Sequence, residues 1–201
     1  DVNIMPVGSA TFIYDSDGNQ LQKLTAPNSN RMPVSIDQIP LDLQHAVVAI
    51  EDERFYEHNG IDLRGIMRAA VKGITHGFNF SEGASTITQQ VLKNNVFTSW
   101  TEEDSLTSSL KRKIQEQYLA VQLEKVTKKD VILETYLNTI NLGSNTLGVK
   151  AASLRYFNKD VSKITVSEAG VIAAITQNPS LYNPCLLYTS PSPRDRTNLV
   201  C

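Results

Sequence analysis

The sequence predicts a mainly α-helical domain with a small β-hairpin near its N-terminus. After the loop APNSNRMPVS, apolar residues recur at three- and four-residue intervals, which places them on one face of a helix. Before that loop, ATFIYDSDGNQLQKL reads as two short strands around a DSDGN turn. Of the 201 residues, 41% are hydrophobic and 20% are charged, a composition that can build one globular core.

Two helices are predicted directly after the loop. The first covers IPLDLQHAVVAIEDERFY, and Pro40 suits its first turn. Its apolar positions share one face: Leu43, Val47 and Ile50. The second is LRGIMRAAVKGITHG, which Asp62 can cap and Gly77 can end. Its apolar stripe is long: Leu63, Ile66, Met67, Ala70, Val71 and Ile74.

Five further helices are predicted after residue 85. Ser85 is the predicted cap of TITQQVLKNNVF, and TEEDSLTSSLKRKIQEQYLAVQLEKV is the longest helical segment. Thr127 is the predicted cap of KKDVILETYLNTI, and GVKAASLRYF is short. The last segment, TVSEAGVIAAITQNP, opens with a capping box from Thr165 to Glu168 and stops before Pro179.

The organisation of the chain follows from these elements. Residues 1–32 are expected to hold the hairpin and a loop, and residues 33–184 to form the main domain. The tail 185–201, CLLYTSPSPRDRTNLVC, has no hydrophobic period and contains both cysteines. It reads either as a Pro-rich linker or as non-native sequence, since CLLYTSPSPRD matches one reading frame of a common sequencing adapter. We therefore expect the native domain to be cut near Pro184.

Charge and hydropathy argue against a nucleic-acid-binding protein and against a membrane-spanning helix in this sequence. The net charge is −2, so the chain has no overall positive field to attract nucleic acid. No apolar run approaches the roughly 20 residues that a membrane helix needs. Any recognition of a charged ligand must therefore come from local clusters of residues.

The first local cluster is EDERFYEHNG, residues 51–60, which follows the apolar run LQHAVVAI. Glu51 is expected to lie near Val48 and Phe55, and a carboxylate beside apolar neighbours is suited to proton transfer near neutral pH. The alternative is a solvated helix end, with His58 as a structural histidine.

The second cluster is EGASTITQQVLKNN, which is rich in neutral hydrogen-bonding side chains. Gly83 allows close backbone approach, and the helix start could attract an anion. The alternative is a capped helix with a polar outer face.

The third cluster is LKRKIQEQYLA, in which Lys111, Arg112 and Lys113 form a basic triplet near Glu116. The functional interpretation is a phosphate-binding patch beside a second carboxylate, because the planar guanidinium binds two oxygens at once. The alternative is an Arg112–Glu116 pair on a solvated helix face, worth about 0.2–0.5 kcal/mol.

Together and in this order, the clusters resemble the motifs of the glycosyltransferase domain of class A penicillin-binding proteins, the family 51 peptidoglycan glycosyltransferases. EDERFYEHNG resembles E-D-x-x-F-x-x-H-x-G, GASTITQQ resembles G-x-S-T-I-T-Q-Q, and RKIQE resembles R-K-x-x-E. KDVILETYLN resembles the fourth motif. The resemblance covers roughly residues 33–184. The family's Arg-rich fifth motif and preceding membrane helix are not found, so we expect a truncated piece.

The resemblance implies a lysozyme-like helical fold with a long cleft. It implies a transferase that polymerises lipid II into glycan strands, with inversion and release of undecaprenyl pyrophosphate. It also implies a location at the outer face of the bacterial cell membrane, and it leaves open whether a transpeptidase domain follows. Nucleic acid is not an expected partner.

The resemblance also implies roles for individual residues. Glu51 would be the general base, and Glu116 would act on the donor side near the pyrophosphate, with a divalent metal ion as an open alternative there. The remaining expected substrate-binding residues are Asp52, His58, Ser85, Thr86, Gln89, Gln90, Lys93, Arg112 and Lys113. Among these, Asp52 and His58 are expected to orient the site.

Two rival functions remain at this point. A lysozyme-like hydrolase would cut glycan rather than make it, although a neutral glycosidic bond needs no basic cluster beside Glu116. A non-catalytic remnant that binds peptidoglycan or a partner protein would keep the motifs only for structure, and truncation would favour this alternative.

Overall fold

The computed structural model describes residues 11–18, 20–24, 31–75, 85–96, 106–182 and 184. The helices of this part are α1 (Leu41–Glu51), α2 (Leu63–Thr75), α3 (Ile87–Asn95), α4 (Leu106–Val126), α5 (Lys129–Thr139), α6 (Val149–Phe157) and α7 (Val166–Gln177). Short 3-10 helices cover Ile36–Gln38 and Val161–Lys163. The predicted mainly α-helical, lysozyme-like domain is confirmed.

The predicted N-terminal hairpin is also confirmed. Strands β1 (Thr11–Tyr14) and β2 (Gln20–Leu24) pair antiparallel, with Thr11 opposite Leu24. The Gly18 N–H donates to the Asp15 carbonyl at 3.2 Å and closes the turn. Gly18 has φ of +83°, a conformation that glycine adopts without steric cost.

The core lies between α1, α3, α5 and α7. Helix α1 packs against α7, and α3 packs against both α4 and α5. These helices supply many of the fully buried side chains: Leu43, Val47, Ile87, Val91, Leu133, Leu137, Ile172 and Ile175. The predicted apolar face of α1 is correct at Leu43 and Val47 but wrong at Ile50, which is 37% exposed and lines a cleft.

Helix α1 is shorter than predicted. It ends at Glu51, because Asp52 has φ of −159° and ψ of 71°, outside the helical region. Residues 53–57 form turns rather than a continued helix. Pro40 is the N-cap rather than the first helical residue.

Helix α2 begins as predicted, since the Asp62 carboxylate accepts the Arg64 N–H at 3.1 Å. Its apolar stripe is exposed: Leu63 is 64%, Met67 69% and Val71 60% accessible. Gly77, the predicted end, lies outside the described residues. None of the helices in the described ranges is both long and apolar enough to cross a bilayer.

Two predicted caps are wrong, and both errors are of one residue. Thr86, rather than Ser85, caps α3, with Gln89 completing a capping box. Lys128, rather than Thr127, precedes α5, and it makes no side-chain cap bond.

The predicted start and end of α7 are confirmed. Thr165 and Glu168 form the capping box, and the helix ends at Gln177, two residues before Pro179.

The segment that leads into α1 is fixed by α5. Asn138 accepts the Val34 N–H at 2.9 Å and donates to the Val34 carbonyl at 2.8 Å, as a neighbouring strand would. Glu134 accepts the Ile36 N–H at 2.8 Å. These contacts set the position of α1 and therefore of its last residue, Glu51.

Candidate active site

A polar cleft opens where α1 ends. It lies between the end of α1, the turn that follows, the first half of α2 and the entry to α3. Its walls are formed by Ala49, Ile50, Glu51, Asp52, Glu53, Arg54, Asp62, Gly65, Arg68, Ser85 and Thr86. Four of these residues are acidic, so the partners of each carboxylate decide what the cleft can do.

Glu51 is half-buried and is held by neutral groups from two helices. The Thr176 hydroxyl of α7 donates to Oε1, and the Gln90 side-chain amide of α3 donates to Oε2 at 2.8 Å. The Tyr136 hydroxyl donates in turn to Gln90 Oε1 at 3.3 Å. Burial, followed by the nearby charge of Glu51, raises the pKa of Tyr136 well above its usual range, so Tyr136 remains a donor.

Asp52 is buried and tied to the protein. His58 Nε2 lies 3.0 and 2.9 Å from the two carboxylate oxygens, and the Ile87 N–H donates to Oδ2 at 2.9 Å. The Gly60 N–H donates to His58 Nδ1 at 3.2 Å, so in the neutral imidazole Nε2 carries the hydrogen. Asp52 and His58 therefore join the end of α1 to the start of α3, and their orienting role stays a prediction.

Asp62 is paired with Arg54 through two hydrogen bonds, of 3.2 and 2.5 Å. The hydrogen bond from Arg54 lowers the pKa of Asp62, and the same bond raises the pKa of Arg54. Arg54 also lies 3.5 Å from Glu53. Among the cleft carboxylates, Glu51 thus differs, because within the described part of the chain none of its hydrogen-bond partners is a cation or a histidine.

The second predicted carboxylate, Glu116 on α4, is almost fully buried and pairs with Lys113. Lys113 Nζ lies 2.8 Å from Glu116 Oε1 and 2.8 Å from Ser85 Oγ, at the wall of the cleft. The alternative interpretation, an Arg112–Glu116 pair on a solvated helix face, is therefore wrong. Glu116 faces the buried side of α4. Lys113, three residues before it, is only partly exposed and reaches it, whereas Arg112, four residues before it, is exposed.

The other predicted contact residues are placed differently from one another. Thr86 and Gln89 are buried in the capping box, and the Thr86 hydroxyl donates to the Gly60 carbonyl at 2.7 Å. Lys93 lies exposed in the last turn of α3, and no contact within the described residues joins it to Glu51 or Glu116. The roles of these three residues as substrate contacts stay predictions.

An ion pair between Lys129 and Glu124 lies against the turn that follows α1. Lys129 Nζ lies 2.7 Å from Glu124 Oε2 and 4.4 Å from the centre of the Phe55 ring. The Thr88 hydroxyl donates to the other oxygen of Glu124. This cluster connects the turn after α1 with α3, α4 and the start of α5.

Sequence reasoning missed Thr176, Arg54 and Asp62 as residues of the site. Arg54 lies at an unspecified position of the first motif, and Asp62 was assigned only as a cap. The signal for Thr176 was weak: it is a hydroxyl residue that follows the apolar run VIAAI in the last helix.

No site for a metal ion is formed by the described residues themselves. Within those ranges, no three His, Cys, Asp or Glu side chains come together. Glu116, beside which a metal ion was left open as an alternative, is engaged by Lys113. The arrangement of these described residues does not fit a protein-built metal site.

The fold and the cleft define a lysozyme-like helical domain with a half-buried carboxylate at the end of a core helix. The profile of the family described as Transglycosylase matches residues 17–201, and the chain belongs to that family. The match includes residues 185–201, which lie outside the described part, so the boundary near residue 184 stays a prediction.

The chain is also similar to several penicillin-binding proteins. The chain is 42% identical over 208 residues to penicillin-binding protein 1A of Clostridium acetobutylicum, covering 100% of this chain and 25% of that protein. It is 43% identical over 178 residues to penicillin-binding protein 1F of Bacillus subtilis, covering 89% of this chain and 24% of the relative. It is 43% identical over 188 residues to penicillin-binding protein 1A of Escherichia coli, covering 94% of this chain and 21% of that protein. The chain thus spans about a quarter of the length of these relatives.

Proposed function

We propose that this domain is a peptidoglycan glycosyltransferase that polymerises lipid II into glycan strands. Membership of the transglycosylase family supports the class of reaction. The observation that carries the proposal is the state of Glu51: it is the cleft carboxylate held by neutral donors, whereas Asp52 and Asp62 face His58 and Arg54.

Glu51 is the general base in this proposal. A carboxylate without a cationic partner can accept a proton, and its position at the end of a packed helix keeps it in a fixed place. The acceptor sugar's 4-hydroxyl gives its proton to Glu51 as its oxygen forms a bond to the anomeric carbon of the donor. The bond from that carbon to the diphosphate oxygen breaks on the opposite face, and the electron pair leaves with undecaprenyl pyrophosphate. This displacement inverts the anomeric carbon.

The donor side is assigned to the Lys113–Glu116 pair and the exposed Arg112. Lys113 already reaches the wall of the cleft through Ser85, so its ammonium group is available to the charge that develops on the departing diphosphate. Glu116 holds Lys113 in place in this proposal. We also propose that Glu51 and Glu116 face each other across the bound sugars without touching.

In the relatives, a domain like this one makes up about a quarter of the chain. We propose that the protein containing this domain is held at the outer face of the bacterial cell membrane, with lipid II and the growing strand as its substrates. A transpeptidase domain after this one would account for the length of the relatives that the chain does not cover.

The test is polymerisation of lipid II in detergent, with products resolved by size. The chain is expected to make long strands, and Glu51→Gln is expected to make none. Glu53→Gln is the matched control, because Glu53 lines the same cleft but is exposed. Cleavage of preformed glycan would support the hydrolase instead. Tight binding of lipid II without turnover by a folded chain would support the binding remnant, and full activity of Glu51→Gln would remove Glu51 from the chemistry.

A further inference from the structure

We propose that Thr176 is a positioning residue for Glu51, and that its hydroxyl serves both protonation states of the carboxyl group. This inference rests on the proposed role of Glu51 as base. Thr176 lies in the last turn of α7, and its hydroxyl contacts Glu51 Oε1 across 125 residues of sequence.

The Glu51 carboxylate is held from two directions. Gln90 approaches the Glu51 carboxylate from α3, whereas Thr176 approaches it from α7, so each carboxylate oxygen has its own donor from a different helix. Two donors on two oxygens fix the rotation of a carboxyl group, which one donor does not. Because α1 and α7 pack together in the core, the Thr176 contact is carried by a rigid helix pair rather than by a loop.

The Thr176 hydroxyl has two possible acceptors for its single hydrogen. Thr176 Oγ1 also lies 2.8 Å from the Ala173 carbonyl oxygen, one turn back in α7. A hydroxyl has one hydrogen to donate and two lone pairs, so it satisfies one of these acceptors at a time. Such a bond to a carbonyl in the preceding turn is a common alternative for helical Thr residues.

The two acceptors, Glu51 Oε1 and the Ala173 carbonyl, suit the charged and the protonated state of Glu51 respectively. While Glu51 is charged, the hydroxyl donates to Oε1. Once the carboxyl group has taken the proton of the acceptor sugar, the hydroxyl turns its hydrogen to Ala173 and offers a lone pair to the carboxyl O–H. The hydroxyl therefore remains bonded through the whole cycle, and Glu51 keeps its position in both states.

The test compares Thr176→Val with Thr176→Ser in the lipid II assay. Valine keeps the shape but removes the hydroxyl, so kcat is expected to fall about 10- to 100-fold with little change in KM, as for a small misplacement of a reacting group. Serine keeps the hydroxyl and should restore most of the rate. Thr135→Val is the matched control, because Thr135 makes the same kind of bond, to the Val131 carbonyl at 2.8 Å, in α5.

The outcomes separate the two proposals. If Glu51→Gln is inactive while Thr176→Val has the parent's kcat, Thr176 has no positioning role and the base assignment stands. If Glu51→Gln is fully active, the base assignment itself is wrong.

A second measurement does not depend on activity. A crystal structure of Thr176→Val is expected to show the Glu51 carboxylate turned about its side-chain axis, with the Gln90 contact kept. A carboxylate that stays in the parent position would overturn the inference. Should valine prevent folding, Thr176→Ala provides the same comparison.

Discussion

Lys113 and Glu116 form an ion pair one turn apart on α4, and the same ammonium group contacts Ser85, which lies in the wall of the cleft. Lys113 is thus the one link observed between the second carboxylate of the site and the segment before α3 within the described residues. Its charge is partly neutralised by Glu116 in the free protein. A diphosphate that enters the cleft would meet this cation together with its fixed counter-ion.

Replacement of Lys113 should therefore damage catalysis more than folding. Lys113→Met is expected to lower kcat about 10²- to 10³-fold, the usual effect of removing one donor to a developing negative charge. The measurement is the rate of lipid II polymerisation, with chemical denaturation to verify folding. Lys111→Met is the matched control, since Lys111 lies exposed on the same helix. Equal rates for the two variants would contradict the role of Lys113.

Gly60 is expected to tolerate no side chain. It has φ of +92°, and an added Cβ would lie 2.6 Å from the backbone of Ala120 in α4. Conformational strain and the clash together predict a loss of about 3 kcal/mol or more in the free energy of unfolding for Gly60→Ala.

Two other glycines separate these causes in the same denaturation experiment. Gly18 shares the positive φ but has nothing within 4 Å, so Gly18→Ala should cost only about 1 kcal/mol. Gly170 lies inside α7 with open space around it, so Gly170→Ala should stabilise by about 0.5–1 kcal/mol. Equal losses at Gly60 and Gly18 would show that the close approach to α4 is unimportant.

The buried pair of Lys129 and Glu124 should behave as one unit. Lys129→Met leaves the Glu124 carboxylate buried without its cation and is expected to cost about 3–5 kcal/mol of unfolding free energy. The double variant Lys129→Met with Glu124→Gln should be more stable than Lys129→Met alone, because the unpaired charge is gone. A double-mutant cycle by urea denaturation measures the coupling. Additive effects would mean that the pair contributes nothing beyond its separate side chains.

Asp62 makes a pH-dependent contribution to stability. Its pKa is lowered in the folded protein by the hydrogen bond from Arg54, so its contribution is complete above the unfolded value of about 3.9. The contribution is lost as pH falls from there through the folded pKa. Asp62→Asn is expected to be less stable than the parent at pH 7, and the difference should shrink below about pH 4.

Asparagine retains the capping bond to Arg64, so this substitution isolates the ion pair. The measurement is the free energy of unfolding in urea between pH 7 and pH 3. Arg54→Met should remove the same pH-dependent part. A constant difference between the parent and Asp62→Asn over this range would contradict the assignment.

Local signals in the sequence predicted most of the fold. The capping box from Thr165 to Glu168 and the bounds of α6 and α7 follow from residues within one or two turns of each other. Local signals do not decide between Ser85 and Thr86 as the cap of α3, because the two hydroxyls are adjacent and either could accept an N–H at the helix start. Lys113, 28 residues further on, engages Ser85 and is a tertiary partner that no local pattern shows.

The candidate site was predictable to a different degree. The motifs placed Glu51, Ser85 and Lys113 in one region, and the structure brings the three to the same cleft and its edge. Thr176 could not be placed there, because its contact with Glu51 depends on how α1 packs against α7. The apolar spacing of each helix shows that it is buried, but it does not show which helix covers it.

The two hydrogen bonds between Asn138 and Val34 can form only after α5 has been synthesised, so a newly made chain acquires this site in stages. Synthesis begins at the amino terminus, so α1 leaves the ribosome before α5 has been made. The Thr176 hydroxyl is added 125 residues after Glu51, which at ordinary translation rates is a delay of about 10 s. Throughout that interval the nascent chain carries its carboxylate without the Thr176 hydroxyl, although Gln90 is made only 39 residues after Glu51. The site is assembled only when the last helix emerges.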